Sequence, residues 1–121
     1  MTNIIKGKFD FVAAGKTYSL QFTANGMCEL EAAANCSTMA FLKRMEANAE
    51  NDLSFIDVRL LFWAGLQEHH PELTVKDAGR IVQDMGGLAE AMTLAGQAVQ
   101  SGMPQDESGG NASGGKAMGA S

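Results

Sequence analysis

The chain has 121 residues and a formal net charge of −5, with 45% hydrophobic and 19% charged residues. That length suits one domain with a packed core, and the low charge content excludes a highly charged disordered chain. The acidic balance argues against a nucleic-acid groove, and no apolar run approaches the roughly 20 residues of a membrane helix.

Residues Met1 to Phe9 hold no apolar signal core, which points to a cytoplasmic protein. The first segment then alternates. Ile5, Phe9 and Phe11 fall on one face, with Lys6, Lys8 and Asp10 on the other, the pattern of a half-buried strand. Tyr18, Leu20 and Phe22 repeat it against Thr17, Ser19 and Gln21, with Ala13-Ala14-Gly15-Lys16 as the turn. Pairing Val12 with Thr17 sets Phe11 opposite Tyr18, Phe9 opposite Leu20 and Gly7 opposite Phe22. Every large aromatic side chain then shares one face, which a one-residue slip would destroy. A lone hairpin is marginal in water, so this face must rest on the helices that follow.

From Thr23 the period becomes helical. Thr23 or Asn25 caps a short helix to about Ala34, with Met27 and Leu30 inward. Ser37 caps a second helix through about Ala49, with Leu42, Met45 and Ala49 on its stripe. Residues 48–52 read as a loop. Ser54 with Asp57 is a capping-box variant opening a helix from Phe55 to about His69. Nine of the twelve residues from Phe55 to Leu66 are apolar, which places this helix at the centre.

Pro71 stops it. Thr74 with Asp77 opens a fourth helix carrying Val75, Ala78, Val82 and Met85 on one side, opposite Lys76, Asp77, Arg80 and Asp84. Gly86-Gly87 ends it. A last helix, Leu88 to about Gln100, inclines Leu88, Ala91, Ala95 and Val99 to one face. Gly96 interrupts that thin stripe, which predicts the least stable helix. Residues 102–121 hold six glycines, three serines and no aromatic, the composition of a flexible tail. The expected architecture is therefore α+β: an N-terminal antiparallel hairpin packed on about five helices in a single globular domain, 1–101, with a Gly/Ser-rich tail, 102–121.

Chemistry-bearing residues are sparse. Cys28 and Cys36 lie eight apart, and a continuous helix would hold them about 12 Å apart, too far for a disulfide. Both are expected to be small buried hydrophobes, because Glu29 and Glu31 deny Cys28 the electropositive setting of a reactive thiol. His69-His70 is expected to meet solvent and favour the negative end of a helix dipole. A Cys–His pair would make the chain an enzyme, but no third group orients it. Glu29 and Glu31 diverge on a helix. The glycine pairs lack the strand, lysine and spacing of a phosphate loop. No catalytic, cofactor or metal residue is assigned.

Eight methionines in 121 residues is a high count. Met27, Met39, Met45, Met85 and Met92 all fall in expected helices. They fill gaps in a small core or line an adaptable polypeptide-binding surface. Trp63 is core or a partner anchor. The candidate partner-binding residues are Met39, Met45, Trp63, Met85 and Met92.

Three stretches taken in order resemble a known family. They are Gly15-Lys16-Thr17-Tyr18-Ser19-Leu20-Gln21-Phe22 with Glu29-Leu30-Glu31; Leu60-Leu61-Phe62-Trp63-Ala64-Gly65-Leu66; and Pro71-Glu72-Leu73-Thr74 with Ile81 and Gly86-Gly87. Over roughly residues 7–95 the chain resembles the tail-assembly chaperones of long-tailed phages and gene transfer agents, a family also labelled tail tube. The resemblance implies a small, often oligomeric, non-enzymatic protein that coats the tape measure protein before the tube polymerises. Tail tube protein and further copies of the chain are additional candidate partners. A structural tail component built into the particle is the alternative, although one hairpin is little sheet for a ring. The family often makes a longer product by ribosomal frameshifting. Gly114-Gly115-Lys116 can be encoded by a slippery heptamer, or can be an ordinary linker tripeptide.

Overall fold

The computed structural model describes residues 7–48 and 53–102. The expectations for Ile5, Ala49, the loop residues 49–52, the tail from 103 onward and Gly114-Gly115-Lys116 lie outside the described residues.

Two strands, β1 (Phe9–Ala13) and β2 (Lys16–Leu20), form an antiparallel hairpin. Its register matches the expected one: Phe9↔Leu20, Phe11↔Tyr18 and Val12↔Thr17. The ladder closes there, so Gly7 and Phe22 lie beyond it, and Gly102 is the residue that approaches Phe22. Ala14 and Gly15 form the turn with φ of 52° and 77°. Two positive φ values give the primed turn whose twist suits a hairpin. Val12, on the outer face, is 60% exposed, while Leu20 and Phe22 are buried.

Helix α1 (Ala24–Ala34) is capped by Thr23, whose hydroxyl accepts from Gly26 N–H at 3.1 Å. It ends at Asn35 in the left-handed region, φ 60°. Helix α2 (Thr38–Asn48) starts under two caps. Ser37 Oγ accepts from Ala40 N–H, and Glu31 Oε2 accepts from Thr38 N–H at 2.8 Å. That bond holds the Glu31 carboxyl below its ordinary range. The buried residues of α2 are Thr38, Phe41 and Met45. Leu42, expected on the buried stripe, is only half-buried at its edge, and Phe41 takes the deep position.

Helix α3 (Phe55–Leu66) packs against β2, α1, α4 and α5, the central place its composition predicts. Val58, Leu61, Phe62, Ala64, Gly65 and Leu66 are buried. Its first two residues are not: Phe55 is 72% and Ile56 67% exposed. The helix stops at Leu66, three residues before the expected end at His69.

Two capping signatures of the same spacing behave differently. At α4 (Val75–Asp84) the box closes: Thr74 Oγ1 accepts from Asp77 N–H at 3.1 Å, and Asp77 Oδ2 accepts from Thr74 N–H at 2.9 Å. At α3 only half forms. Ser54 Oγ accepts from Asp57 N–H, but the Asp57 carboxylate takes a two-pronged ion pair from Arg44 of α2. A guanidinium fork that matches a carboxylate outcompetes one neutral N–H. Gly86 and Gly87, with φ of 132° and 104°, turn the chain into α5 (Leu88–Gly102). Helix α5 buries Ala91, Ala95 and Ala98; Val99, expected on that stripe, is half-buried at its edge.

The central Ala64-Gly65-Leu66 has a steric explanation. A Cβ on Gly65 would come within 2.6 Å of Leu20 Cδ1 and 2.9 Å of Phe22 Cζ. A Cβ on Gly26 would come within 2.8 Å of the Ala64 carbonyl oxygen. Small residues here let the hairpin and α1 approach α3 closely enough for Gln21 N–H to reach Gly65 C=O at 2.8 Å.

Candidate functional site

Helix α2 rests mainly on α1, and α5 rests on α3 and α4. This arrangement leaves a gap between α2 and α5. Met39, Leu42 and Met45 wall it on one side, Met92, Gly96 and Val99 on the other, with Leu61 of α3 also lining it. The groove measures about 400 Å³, and its lining is largely apolar. Lys43, Glu46 and Gln100 bring polar groups to it.

The residues that make the groove differ in exposure. Met45 is buried, Met92 and Leu42 are half-buried, and Met39 is 55% exposed. No atom lies within 4 Å of where a Gly96 Cβ would stand, so this glycine widens the groove rather than serving a close helix contact. Unbranched thioether side chains can change rotamer to suit different apolar shapes. The arrangement can accept one apolar face of a helix or an extended apolar segment.

Three of the five candidate partner-binding residues, Met39, Met45 and Met92, come together here. The other two lie elsewhere. Met85 lines a separate concavity of about 280 Å³ with Phe11, Val12 and Leu94. Trp63 is half-buried, and its Nε1–H donates to the Leu73 carbonyl at 3.2 Å, which anchors the α3–α4 connection. Leu42, Leu61 and Val99 belong to the groove without having been among the candidate partner-binding residues. The nearly all-apolar pattern of α3 gives no sign of which side faces a gap.

The titratable residues take structural places. Cys28 is exposed, contrary to the expected burial, and Cys36 is half-buried; both are free thiols. The buried side of α1 runs through Gly26 and Leu30, and Cys28 lies between them in sequence on the opposite side. His69 and His70 do not simply meet solvent. His69 Nε2 hydrogen-bonds Gln21 Oε1 at 2.8 Å. His70 Nε2 accepts from Ser19 N–H at 3.0 Å, and its ring packs edge-on against Tyr18 at 5.3 Å. Burial lowers the His70 pKa from its ordinary value, with Glu72 opposing and His69 and Lys16 adding to the shift. The pair therefore ties the end of α3 to the hairpin. Among the described residues no group of three or more His, Cys, Asp or Glu is placed to hold a metal ion. No helix among them is long and apolar enough to cross a membrane. No protein-family model matches the chain, and neither a curated protein nor a solved structure shows significant similarity to it.

Proposed function

We propose that the chain is a non-enzymatic tail-assembly chaperone that binds the tape measure protein in the host cytoplasm and keeps it soluble until the tail tube encloses it. The observation that carries the reading is the methionine-walled groove between α2 and α5. A long helical protein with exposed apolar stripes aggregates unless those stripes are shielded. A shallow, adaptable groove suits many weak, sequence-tolerant contacts along such a chain. The sequence resemblance supports the same partner. The two-stranded sheet favours this reading over a structural tube subunit, since ring building normally draws on a more extensive sheet.

Co-expression with a tape measure protein from the same genome tests the proposal. Soluble, co-purifying tape measure protein is the expected result, lost on Met39→Asp or Met92→Asp. Equal solubility and no association with and without this chain would overturn it. Mass spectrometry of purified particles separates the two tail roles: many stoichiometric copies would assign a structural subunit instead.

A further inference from the structure

A second surface lies at the start of α3 and shares no residue with the groove. Phe55 and Ile56, both strongly exposed, stand beside a concavity of about 220 Å³ that Val58, Arg59, Gly79, Val82 and Leu88 complete. Arg59 runs across α4. Its Cδ lies 3.0 Å from where a Gly79 Cβ would stand, so the glycine makes room for its stem. Its Nε is shut off from solvent and meets no hydrogen-bond acceptor. The other arginines among the described residues, Arg44 and Arg80, each pair with an aspartate; Arg59 has no such carboxylate among the described residues.

We propose that this pocket docks a helical polypeptide segment carrying a carboxylate beside an apolar anchor. The apolar anchor would fill the space between Phe55, Ile56, Val82 and Leu88, and the carboxylate would accept from the terminal Nη–H groups of the Arg59 guanidinium at the pocket wall. Charge and geometry both favour this occupant. A guanidinium with no carboxylate of its own among the described residues is complementary to a visiting carboxylate, which accepts two parallel N–H bonds. The available apolar area argues against a second copy of the chain. Phe55 and Ile56 together offer roughly 250–300 Å², well short of the roughly 800 Å² each partner buries in a stable complex. The proposal stands on these residues and does not require the groove to bind a tape measure protein.

The test uses the intact chain and two synthetic amphipathic peptides of about 15 residues, four helical turns. They share a leucine stripe and differ only by one glutamate or glutamine beside it. Methyl NMR reports where each binds. The expected result is that the glutamate peptide shifts the Ile56, Val58, Val82 and Leu88 methyls and binds about tenfold tighter than the glutamine peptide, the value of one charge-assisted bond. Arg59→Gln should abolish that preference, and added salt should reduce it. Arg59→Lys keeps the charge without the fork and should retain only part of it. Because the two-peptide comparison is made on the unaltered chain, it decides the matter even if an Arg59 variant fails to fold. Equal affinities, no binding of either peptide, or shifts confined to the Met39 and Met92 methyls would overturn the proposal. So would concentration-dependent dimerisation that Phe55→Asp removes, which would assign the surface to a second copy.

Discussion

The two sides of α3 are built on opposite principles. Towards β2 and α1 it presents Ala64 and Gly65, and the neighbouring chains close to van der Waals distance. Towards α2 and α5 it presents Leu61 to a methionine-walled gap. The first side specifies the fold, because shape complementarity at that density admits one arrangement. The second leaves room for side chains to adjust to a visitor. A small domain can thus hold a rigid face and an adaptable face on one helix.

The sharpest way to break this contrast is to add one methyl group on the tight side. Gly26→Ala drives a Cβ against the Ala64 carbonyl, which cannot rotate away, and Gly65→Ala drives one into the buried Leu20 and Phe22 side chains. Each should destabilise by about 1–3 kcal/mol, with Gly26→Ala the more severe. Urea denaturation measures it. Met92→Leu on the loose side should cost less than about 1.5 kcal/mol, as a volume-conserving exchange. Equal losses on both sides would show that the groove is as tightly specified as the hairpin contact.

The caps provide the next step down. Thr74→Ala removes the hydroxyl half of the closed capping box and should cost about 1 kcal/mol. Ser54→Ala should cost less, because Asp57 remains held by Arg44. Thermal melts of the two variants at matched pH compare them.

Acidification probes the tight side through His70. Its folded pKa lies below the ordinary 6.5, so the folded state binds fewer protons than the unfolded chain near that pH. Its contribution is present above pH 6.5 and is lost as pH falls through the folded value. Protonation also turns Nε2 from acceptor to donor, facing the Ser19 N–H. The melting temperature should fall below pH 6.5, and His70→Gln should flatten that fall. Asp10, Glu31 and Asp77 act in a separate, lower window. Their folded pKa values are depressed, so their contributions are present above about pH 4.5 and are lost on further acidification.

The smallest expected effect is a gain. Ala14 occupies the left-handed region, which asparagine tolerates better than alanine. Ala14→Asn should stabilise the hairpin by about 0.5 kcal/mol, seen as a higher urea midpoint with the same slope.

Local chemistry made much of the chain legible. Hairpin register follows from the two-residue alternation, since only one pairing gathers Phe9, Phe11, Tyr18 and Leu20 on one face. Thr23, Ser37, Ser54 and Thr74 each accept from a backbone N–H at a helix start, because a short side-chain oxygen there satisfies an orphan donor within three residues. Of the candidate site, the methionines were visible as residues but not as a surface. Spacing along α2 and α5 cannot say whether Met39, Met45 and Met92 meet one another or separate partners.

The amino-acid sequence by itself determined the elements and their order: the hairpin, its register, the starts of α2 to α5 and the glycine-rich exit from α4, while it left the α1 cap open between Thr23 and Asn25. These depend on interactions spanning a few residues or on strict two-residue periodicity. Only the tertiary structure decided where α3 stops, that Asp57 would pair with Arg44, that His69 and His70 would turn back onto the hairpin, and that Cys28 would face solvent. It also decided that α2 and α5 would diverge enough to leave a groove. Those outcomes depend on how the elements pack against one another, and Gly26 and Gly65 set one part of that packing, the close approach of α1 and the hairpin to α3.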